Sequence, residues 1–482
     1  MRLRKNMKRA AAAALALSVA LSAAAPAALA KDYYIENGDI TVTVTEEGDT
    51  YVRVGEAKDK DDIGVKDDTD VVIKGGKDPN KTAGTNSDGS ADEVEKQKPV
   101  VDAEPGEPAE ETGTELVVWP ENVNSGEAQE KDDPEPEEGE PKTPDTQKPV
   151  EEAAEDDDDI MTFENNTAGT VTRAVSEAAK HIITIINNYT KKDTTVTLED
   201  VNIDVSDNYN AAMEVRGAGD TTLKLEGDNT LRGGHFCAGL EKDDEYSTGK
   251  LTITAEDTSA SLKAYGGDNS AGIGGGSYDS TSKLEIANGK IYAESGSNMG
   301  AGIGGGRQAG GDITISGDAT VAAESHNGGI AIGSGGQLYP SDNYEELNTK
   351  ITIRDKANVT AVGSGFHPAI GSYGHVIFPD GVSHPFTTTI NILGGTLNVI
   401  NGKDDYYISD VPAIGNESAD APNTNADLVL NINASTGNTV INAYTTGSNA
   451  ATIGKGYTLK KDDEQIQYNA DGSSKFGEDG SV

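Results

Sequence analysis

The sequence predicts an all-β fold, a parallel β-helix or solenoid of about eight coils, and three observations support this. A six-residue phrase, Ala-Gly-Ile-Gly-Gly-Gly, occupies residues 271–276 and recurs unchanged at 301–306, with weaker copies on both sides. Short segments in which apolar and polar residues alternate precede these copies. The 482 residues include 57 glycines and only 6 phenylalanines, a composition that suits a narrow core of stacked aliphatic side chains.

The spacing of the repeated phrase identifies the class of repeat. Its apolar residue returns every 27 to 44 residues, at Met213, Leu240, Ile273, Ile303, Ile332, Ile370, Ile414 and Ile453. Periods of this length are typical of solenoids, propellers and arrays. The chain lacks the Trp-Asp signature of propeller blades and the Leu/Asn ladder of leucine-rich repeats, so a solenoid is the best interpretation.

Two short strands are predicted ahead of each copy, for example at residues 251–253 and 262–264. Their period-two alternation places one face inside and one outside. Turn residues, such as Asn288 and Gly289, separate them. With the phrase as a third strand, each coil has three strands. We expect Ile273 and Ile303 to be buried and the glycines after them to turn a corner.

The N-terminus has the features of a secretory signal peptide. Basic residues at Arg2, Arg4, Lys5, Lys8 and Arg9 precede an apolar run that ends in Ala28-Leu29-Ala30. This pattern predicts cleavage after residue 30, secretion to the extracellular space, and no membrane insertion of the mature chain. Association with the cell surface is compatible with it.

Composition divides the remaining chain into four predicted parts. Residues 31–75 contain strands that we assign to a cap or to the first coils. Residues 76–160 form a disordered, acidic, proline-rich spacer, because residues 77–159 alone carry 28 acidic and 7 basic side chains together with ten of the 17 prolines. Residues 161–460 form the β-helix. Residues 461–482 form a short polar tail.

The charge of the chain excludes several partners. It carries 82 acidic and 39 basic residues, a net charge of −43. Such a charge opposes binding to nucleic acid or to an anionic membrane surface.

Several segments together resemble secreted proteins of gut Firmicutes that are described as carbohydrate-binding domain-containing proteins. The resemblance is carried by residues 32–42, 196–204, 225–231 and 238–242 and by the two exact copies of the phrase. It implies a right-handed parallel β-helix with a non-catalytic, polysaccharide-binding or adhesin-like role at the cell surface. Polysaccharides or other glycans are the implied partners, together with other cell-surface components, and calcium is the implied cofactor.

Tyrosines in predicted loops are the candidate sugar-binding residues. An exposed ring offers a flat apolar face to a pyranose while its hydroxyl stays in water. The longest loops interrupt the later coils, and insertions in repeat proteins often form the binding face. The candidates are five tyrosines and the two aspartates that precede the last pair: Tyr339, Tyr344, Tyr373, Asp404, Asp405, Tyr406 and Tyr407.

Three loop carboxylates, Glu241, Asp243 and Asp244, are the candidate metal ligands. An enzymatic alternative, a pectate-lyase-like polysaccharide lyase or a glycoside hydrolase, requires clustered carboxylates on one face. The predicted outward stacks contain no such pair, so we expect no catalysis from them. These stacks are Thr252, Glu285, Thr314, Thr352, Asn391, Asn431 and Lys263, Tyr292, Ala322, Thr360, Asn398, Asn442.

Overall fold

The computed structural model describes residues 30–67, 69–79, 178–336, 347–365, 367–373, 386–402, 411–416, 426–433, 438–445 and 452–455. Within these ranges the chain is all-β, apart from one short 3-10 helix at Ile35–Asn37. No helix in these ranges has the length and apolar character needed to cross a bilayer. The predicted signal peptide, most of the acidic spacer and the tail lie outside the described residues, so these boundaries stay predictions.

The strands are short and follow one another in a regular order. The first are β1 Lys31–Tyr34, β2 Ile40–Val44, β3 Thr50–Val54, β4 Val65–Asp67, β5 Val71–Lys74, β6 Ile183–Asn187, β7 Thr194–Glu199, β8 Asn202–Asp204 and β9 Met213–Arg216. The next are β10 Thr221–Glu226, β11 Asp228–Arg232, β12 Leu240–Glu241, β13 Leu251–Ala255, β14 Ser261–Tyr265, β15 Ile273–Gly274, β16 Thr281–Ile286, β17 Lys290–Glu294, β18 Ile303–Gly304, β19 Gly311–Ile315, β20 Thr320–Glu324 and β21 Ile332–Gly333. The last are β22 Thr349–Ile353, β23 Asn358–Gly363, β24 Ile370–Ser372, β25 Phe386–Ile392, β26 Gly395–Asn401, β27 Ile414–Asn416, β28 Ala426–Ile432, β29 Thr439–Thr445 and β30 Ile453–Lys455.

These strands form three long sheets. The first sheet has the order β1-β5-β7-β10-β13-β16-β19-β22-β25-β28 and the second β8-β11-β14-β17-β20-β23-β26-β29. The third runs β4-β3-β2-β6-β9-β12-β15-β18-β21-β24-β27-β30. From β7 onward the chain passes from the first sheet to the second, then to the third, and back again. We call one such passage a circuit. All described pairings between circuits are parallel.

The core consists of aliphatic side chains that stack from one circuit to the next. In the third sheet Met213, Leu240, Ile273, Ile303 and Ile332 occupy one register position, and all five are completely buried. The predicted burial of Ile273 and Ile303 is therefore confirmed. The circuits above and below cover the apolar surface of each of these side chains. A single circuit could not bury them, so the core depends on stacking.

A ladder of glycines lies beside this aliphatic ladder, at Gly274, Gly304, Gly333, Gly371, Gly415 and Gly454. All six have φ between 128° and 144°, a range that L side chains rarely adopt. A Cβ at Gly304 would lie 1.8 Å from the carbonyl oxygen of Gly333. The glycine that follows the isoleucine in the phrase thus belongs to the strand rather than to the corner, which begins at the residue after it.

The predicted outward stacks are confirmed by the register. Thr252 pairs with Glu285, Glu285 with Thr314, and the stack continues to Asn431. The second stack, from Lys263 to Asn442, is equally continuous. Amide side chains join neighbouring circuits at the later positions, since Nδ2 of Asn431 donates to Oδ1 of Asn391 at 2.8 Å.

The strands before the spacer join the same sheets. β1 pairs with β5 and β5 with β7 in the first sheet, while β2 pairs with β6 in the third. β3 and β4 are antiparallel additions at the edge of the third sheet. Tyr33 donates a 2.5 Å hydrogen bond to Asp67 and so connects β1 to the end of β4.

A substitution pair tests the glycine ladder. Gly304→Ala places a Cβ against the next circuit and is expected to lower the free energy of unfolding by more than about 4 kcal/mol. Gly454→Ala is the matched control, because its φ is 128° but no atom of the described residues lies within 4 Å of its Cβ position. We expect it to cost only about 1–3 kcal/mol of backbone strain. Equal losses in chemical denaturation would contradict the close-approach explanation.

Candidate functional site

The first two members of the glycine ladder are replaced by glutamates. Glu214 in β9 pairs with Glu241 in β12, and Glu241 pairs with Gly274 in β15. Neither glutamate has a positive φ among the described residues. Met213 and Leu240, the residues before them, face the core, so both glutamate side chains project from the outer face of the third sheet at neighbouring register positions.

A second pair of carboxylates reaches the same place from the turns. A Cβ at Gly276 would lie 3.0 Å from Oε2 of Glu241 and 3.5 Å from Oδ2 of Asp279, so both oxygens lie near one point. Asp243 joins them because its Oδ1 accepts a hydrogen bond from the Gly276 amide at 2.9 Å. We call Glu214, Glu241, Asp243 and Asp279 the acid cluster.

Two members of the acid cluster are buried. Glu241 is 9% exposed and Asp243 is 5% exposed. The Ala238 amide donates to Oε2 of Glu241 at 2.9 Å, which closes the turn before β12. In the same way, the Gly276 amide of the next circuit donates to Oδ1 of Asp243. The two carboxyl groups therefore hold turns of two successive circuits.

Burial dominates the titration of this pair. Desolvation raises the pKa of Glu241 to about 7, and the neighbouring carboxylates Glu214 and Asp279 add to the rise. Desolvation also raises the pKa of Asp243 to about 9, with Glu241 and Asp279 contributing. The backbone donors act in the opposite direction but are outweighed. Both carboxyl groups therefore hold their protons to a higher pH than exposed carboxyl groups do.

Asp244 lies apart from the pair and is bonded to the next circuit. Its Oδ1 accepts hydrogen bonds from the amide and the hydroxyl of Ser282, and its Oδ2 accepts one from Ser280. Lys242, which is completely buried, lies 3.7 Å from Oδ1 of Asp244 and donates to the Ser247 carbonyl at 3.3 Å. Desolvation lowers the pKa of this lysine.

The three predicted metal ligands are thus divided between two surroundings. Glu241 and Asp243 share the acid cluster, whereas both oxygens of Asp244 are engaged by serine donors. In the described part of the chain, no three His, Cys, Asp or Glu side chains are arranged to hold a metal ion. Calcium binding stays a prediction, and Asp244 would have to give up its serine contacts to take part.

Three half-exposed aromatic rings belong to the turns that carry the acid cluster. Phe236, Tyr246 and Tyr278 are 48%, 50% and 52% exposed, and we call them the aromatic rim. The Ser277 amide donates to the Phe236 carbonyl at 2.9 Å, which brings the first and third of these turns together. The guanidinium groups of Arg216 and Arg307 lie 5.0 and 5.6 Å from the ring centres of Tyr246 and Tyr278.

A cleft of about 510 Å³ adjoins the turns of Tyr246 and Tyr278, because it is lined by Glu245 and Asp279, the neighbours of these two residues in the sequence. Carboxylates, hydroxyls and one amide supply its hydrogen-bonding groups, and two glycines leave part of its wall without side chains. Its lining residues are Asp244, Glu245, Asp279, Ser280, Thr281, Ser282, Gly310, Gly311, Asp312 and Asn348. Aromatic faces next to closely spaced polar groups suit a ligand that has both apolar faces and many hydroxyls.

Most of the predicted sugar-binding residues lie outside the described residues. These are Tyr339, Tyr344, Asp404, Asp405, Tyr406 and Tyr407. Tyr373 is described and half-buried, and its ring meets His367 edge-on with the ring centres 4.7 Å apart. It follows β24, three circuits after β15, so it belongs to a different part of the third sheet.

Sequence reasoning missed Glu214, Phe236 and Asp279. One signal was present for the first of them. The phrase has glutamate instead of glycine in its copies at Glu214 and Glu241. A Cβ does not fit at the later ladder positions. Glutamate at the first two positions therefore indicates that the backbone there differs from that of the later circuits and that an acidic side chain projects outward.

No protein-family model matches the chain, and neither the curated proteins nor the solved structures include a significant match. The resemblance to secreted Firmicutes proteins therefore stays a prediction.

The acid cluster predicts a characteristic pH dependence of stability. Because both carboxyl groups have raised pKa values, the folded state binds more protons than the unfolded state above pH 4. Stability should fall as pH rises toward 9, by at most about 1.4 kcal/mol per pH unit for each proton. Urea unfolding at pH 5.5, 7 and 9 measures this slope.

Substitution by amides tests whether Glu241 and Asp243 cause this pH dependence of stability. Asp243→Asn and Glu241→Gln mimic the neutral acids and are expected to flatten it. Glu256→Gln, at a side chain that is 86% exposed, should leave it unchanged. If the pH dependence of stability is unchanged in both amide variants, titrating groups other than Glu241 and Asp243 cause it.

Proposed function

We propose that the protein is a secreted or cell-surface, non-catalytic β-helix that binds polysaccharide and acts as an adhesin. The observation that carries this proposal is the aromatic rim beside the polar cleft. Three exposed rings and a row of carboxylates and hydroxyls offer the two kinds of contact that sugar rings require.

We further propose that the scaffold is a right-handed parallel β-helix of about eight coils. Support comes from the described strands, which form successive trios from β7-β8-β9 to β28-β29-β30. The parallel register between trios supports coils that stack directly on one another. Right-handedness is the near-universal sense of crossovers between parallel strands.

Secretion is supported by the sequence before residue 31, where basic residues precede an apolar run and a small-residue cleavage site. The net charge of −43 supports a partner that is neither nucleic acid nor an anionic membrane. A neutral or hydroxyl-rich polymer is compatible with such a surface, since its binding does not depend on attraction between net charges.

A binding experiment tests the proposal. The chain without its predicted signal peptide is applied to a panel of insoluble and soluble polysaccharides, with and without calcium. The best ligand is then titrated as a soluble oligosaccharide by calorimetry. Tyr278→Ala and Tyr246→Ala should each lose roughly 1–2 kcal/mol, or roughly 5- to 30-fold in affinity, because each removes a stacking face.

The matched control is Tyr444→Ala, which removes a 61% exposed ring from β29 in the second sheet. Its affinity should equal that of the unmodified chain. Failure to bind any polysaccharide, or an equal loss in all three variants, would contradict the proposed function.

Hydrolysis of the bound glycan is the second candidate function, and the acid cluster favours it over the lyase alternative. Glycosidases use one carboxylic acid that keeps its proton near neutral pH and a second carboxylate close by. Burial gives Glu241 a pKa of about 7, and an oxygen of Asp279 lies near the same point.

Product analysis separates the two functions. A non-catalytic chain retains the glycan without releasing reducing ends. Release that Glu241→Gln abolishes would establish hydrolysis, and release of unsaturated products absorbing in the ultraviolet would establish a lyase. Glu256→Gln is the matched control at an exposed position.

A further inference from the structure

The last described strands leave the core uncovered. Ile432 in β28 pairs in register with Ile392, yet Ile432 is 48% exposed while Ile392 is completely buried. Other core-facing residues of β28, β29 and β30 are also only partly buried: Leu428, Leu430, Ile441, Ala443 and Ile453. The next partner of these side chains is absent from the described part of the chain.

Outward apolar side chains extend this surface. Val429 in β28 and Val440 in β29 are 43% and 46% exposed. Together with the half-covered core residues they form what we call the open end. A contiguous apolar surface of this kind marks an interaction site more often than a solvated face.

The open end lacks the charges that usually protect strand edges. β28, β29 and β30 have the sequences ADLVLNI, TVINAYT and IGK, with Asp427 and Lys455 as their charged residues. The opposite edge, at β4, is different, since Lys66 there forms an ion pair with Asp49 at 2.8 Å. Edge strands that must stay unpaired usually carry charges. With one charged residue in β28, none in β29 and one in β30, the strands of the open end are suited to pairing.

We propose that the open end is an interface between two copies of this chain, with β28 pairing antiparallel to β28 of the second copy about a two-fold axis. The distribution of charge favours a second copy of the chain as the partner of the open end. Two chains of net charge −43 repel each other, so contact is least costly where each carries almost no charge. The open end has that property, because one acid and one base offset each other across its three strands.

The register of β28 makes the pairing self-complementary. Val429 is the middle of its seven residues, so a two-fold axis at Val429 sets Leu428 opposite Leu430 and Asp427 opposite Asn431. The Asn431 amide already donates one N–H to Asn391. Its second N–H is suited to the Asp427 carboxylate of the other copy. The register thus avoids a contact between like charges.

Such a dimer would present two copies of the aromatic rim and cleft to one polymer. Two linked sites bind a repeating ligand more tightly than either site alone, because the second binding event becomes intramolecular. The interface itself does not depend on the proposed glycan function, and its test measures association alone.

Sedimentation velocity of the full chain, without its predicted signal peptide, tests the interface. We expect a dimer at concentrations of about 1–100 μM. Val429→Lys places two ammonium groups at the two-fold axis and should weaken association at least about 10-fold. Val65→Lys is the matched control, since Val65 is 67% exposed on β4 at the opposite edge, and it should leave the dimer intact. Thermal unfolding confirms that both variants are folded.

Two results would overturn the proposal. One is a monomer throughout this concentration range; if deletion of residues 456–482 then caused association, the tail rather than a second copy would be the occupant. The other is a dimer that Val65→Lys disrupts and Val429→Lys does not.

Discussion

Successive circuits can stack only because their backbones approach closely in the third sheet. At Gly274, Gly304, Gly333, Gly371 and Gly415 a Cβ would meet a carbonyl oxygen of the next circuit at 1.7–1.9 Å. The repeated phrase therefore preserves glycine where circuits meet, and the aliphatic residue beside it fills the core. Since each circuit covers its neighbour, the same contact explains why the first and last strands need other partners.

The candidate site arises where this constraint is relaxed. Glu214 and Glu241 take ladder positions that later circuits give to glycine, and Gly276 leaves space for the Glu241 carboxylate. Burying Glu241 and Asp243 is unfavourable for their charged forms, which raises both pKa values. The backbone donors keep the two groups in place, and the turns that carry the aromatic rim follow from the same hydrogen bonds. At this register position glycine lets two circuits approach closely, whereas glutamate supplies a carboxylate to the candidate site.

Much of the fold was predictable because its determinants are local and periodic. The alternation of strands such as β13 and β14, the repeated phrase, and the outward stacks from Thr252 and Lys263 all follow from residue spacing. The acid cluster was only partly predictable. Glu241 and Asp243 could be selected as loop carboxylates, but Asp279 reaches them from the turn of the next circuit. That meeting depends on three-dimensional register, as does the engagement of Asp244 by Ser280 and Ser282.

Hydrogen exchange with and without a bound oligosaccharide shows whether glycan binds at the aromatic rim and cleft. If glycan binds there, amide exchange slows only at residues 234–237, 243–247 and 276–282, whose turns carry the rim and line the cleft. Slowing only at residues 403–410, or along the outward faces of the first and second sheets, would contradict it and place the ligand elsewhere.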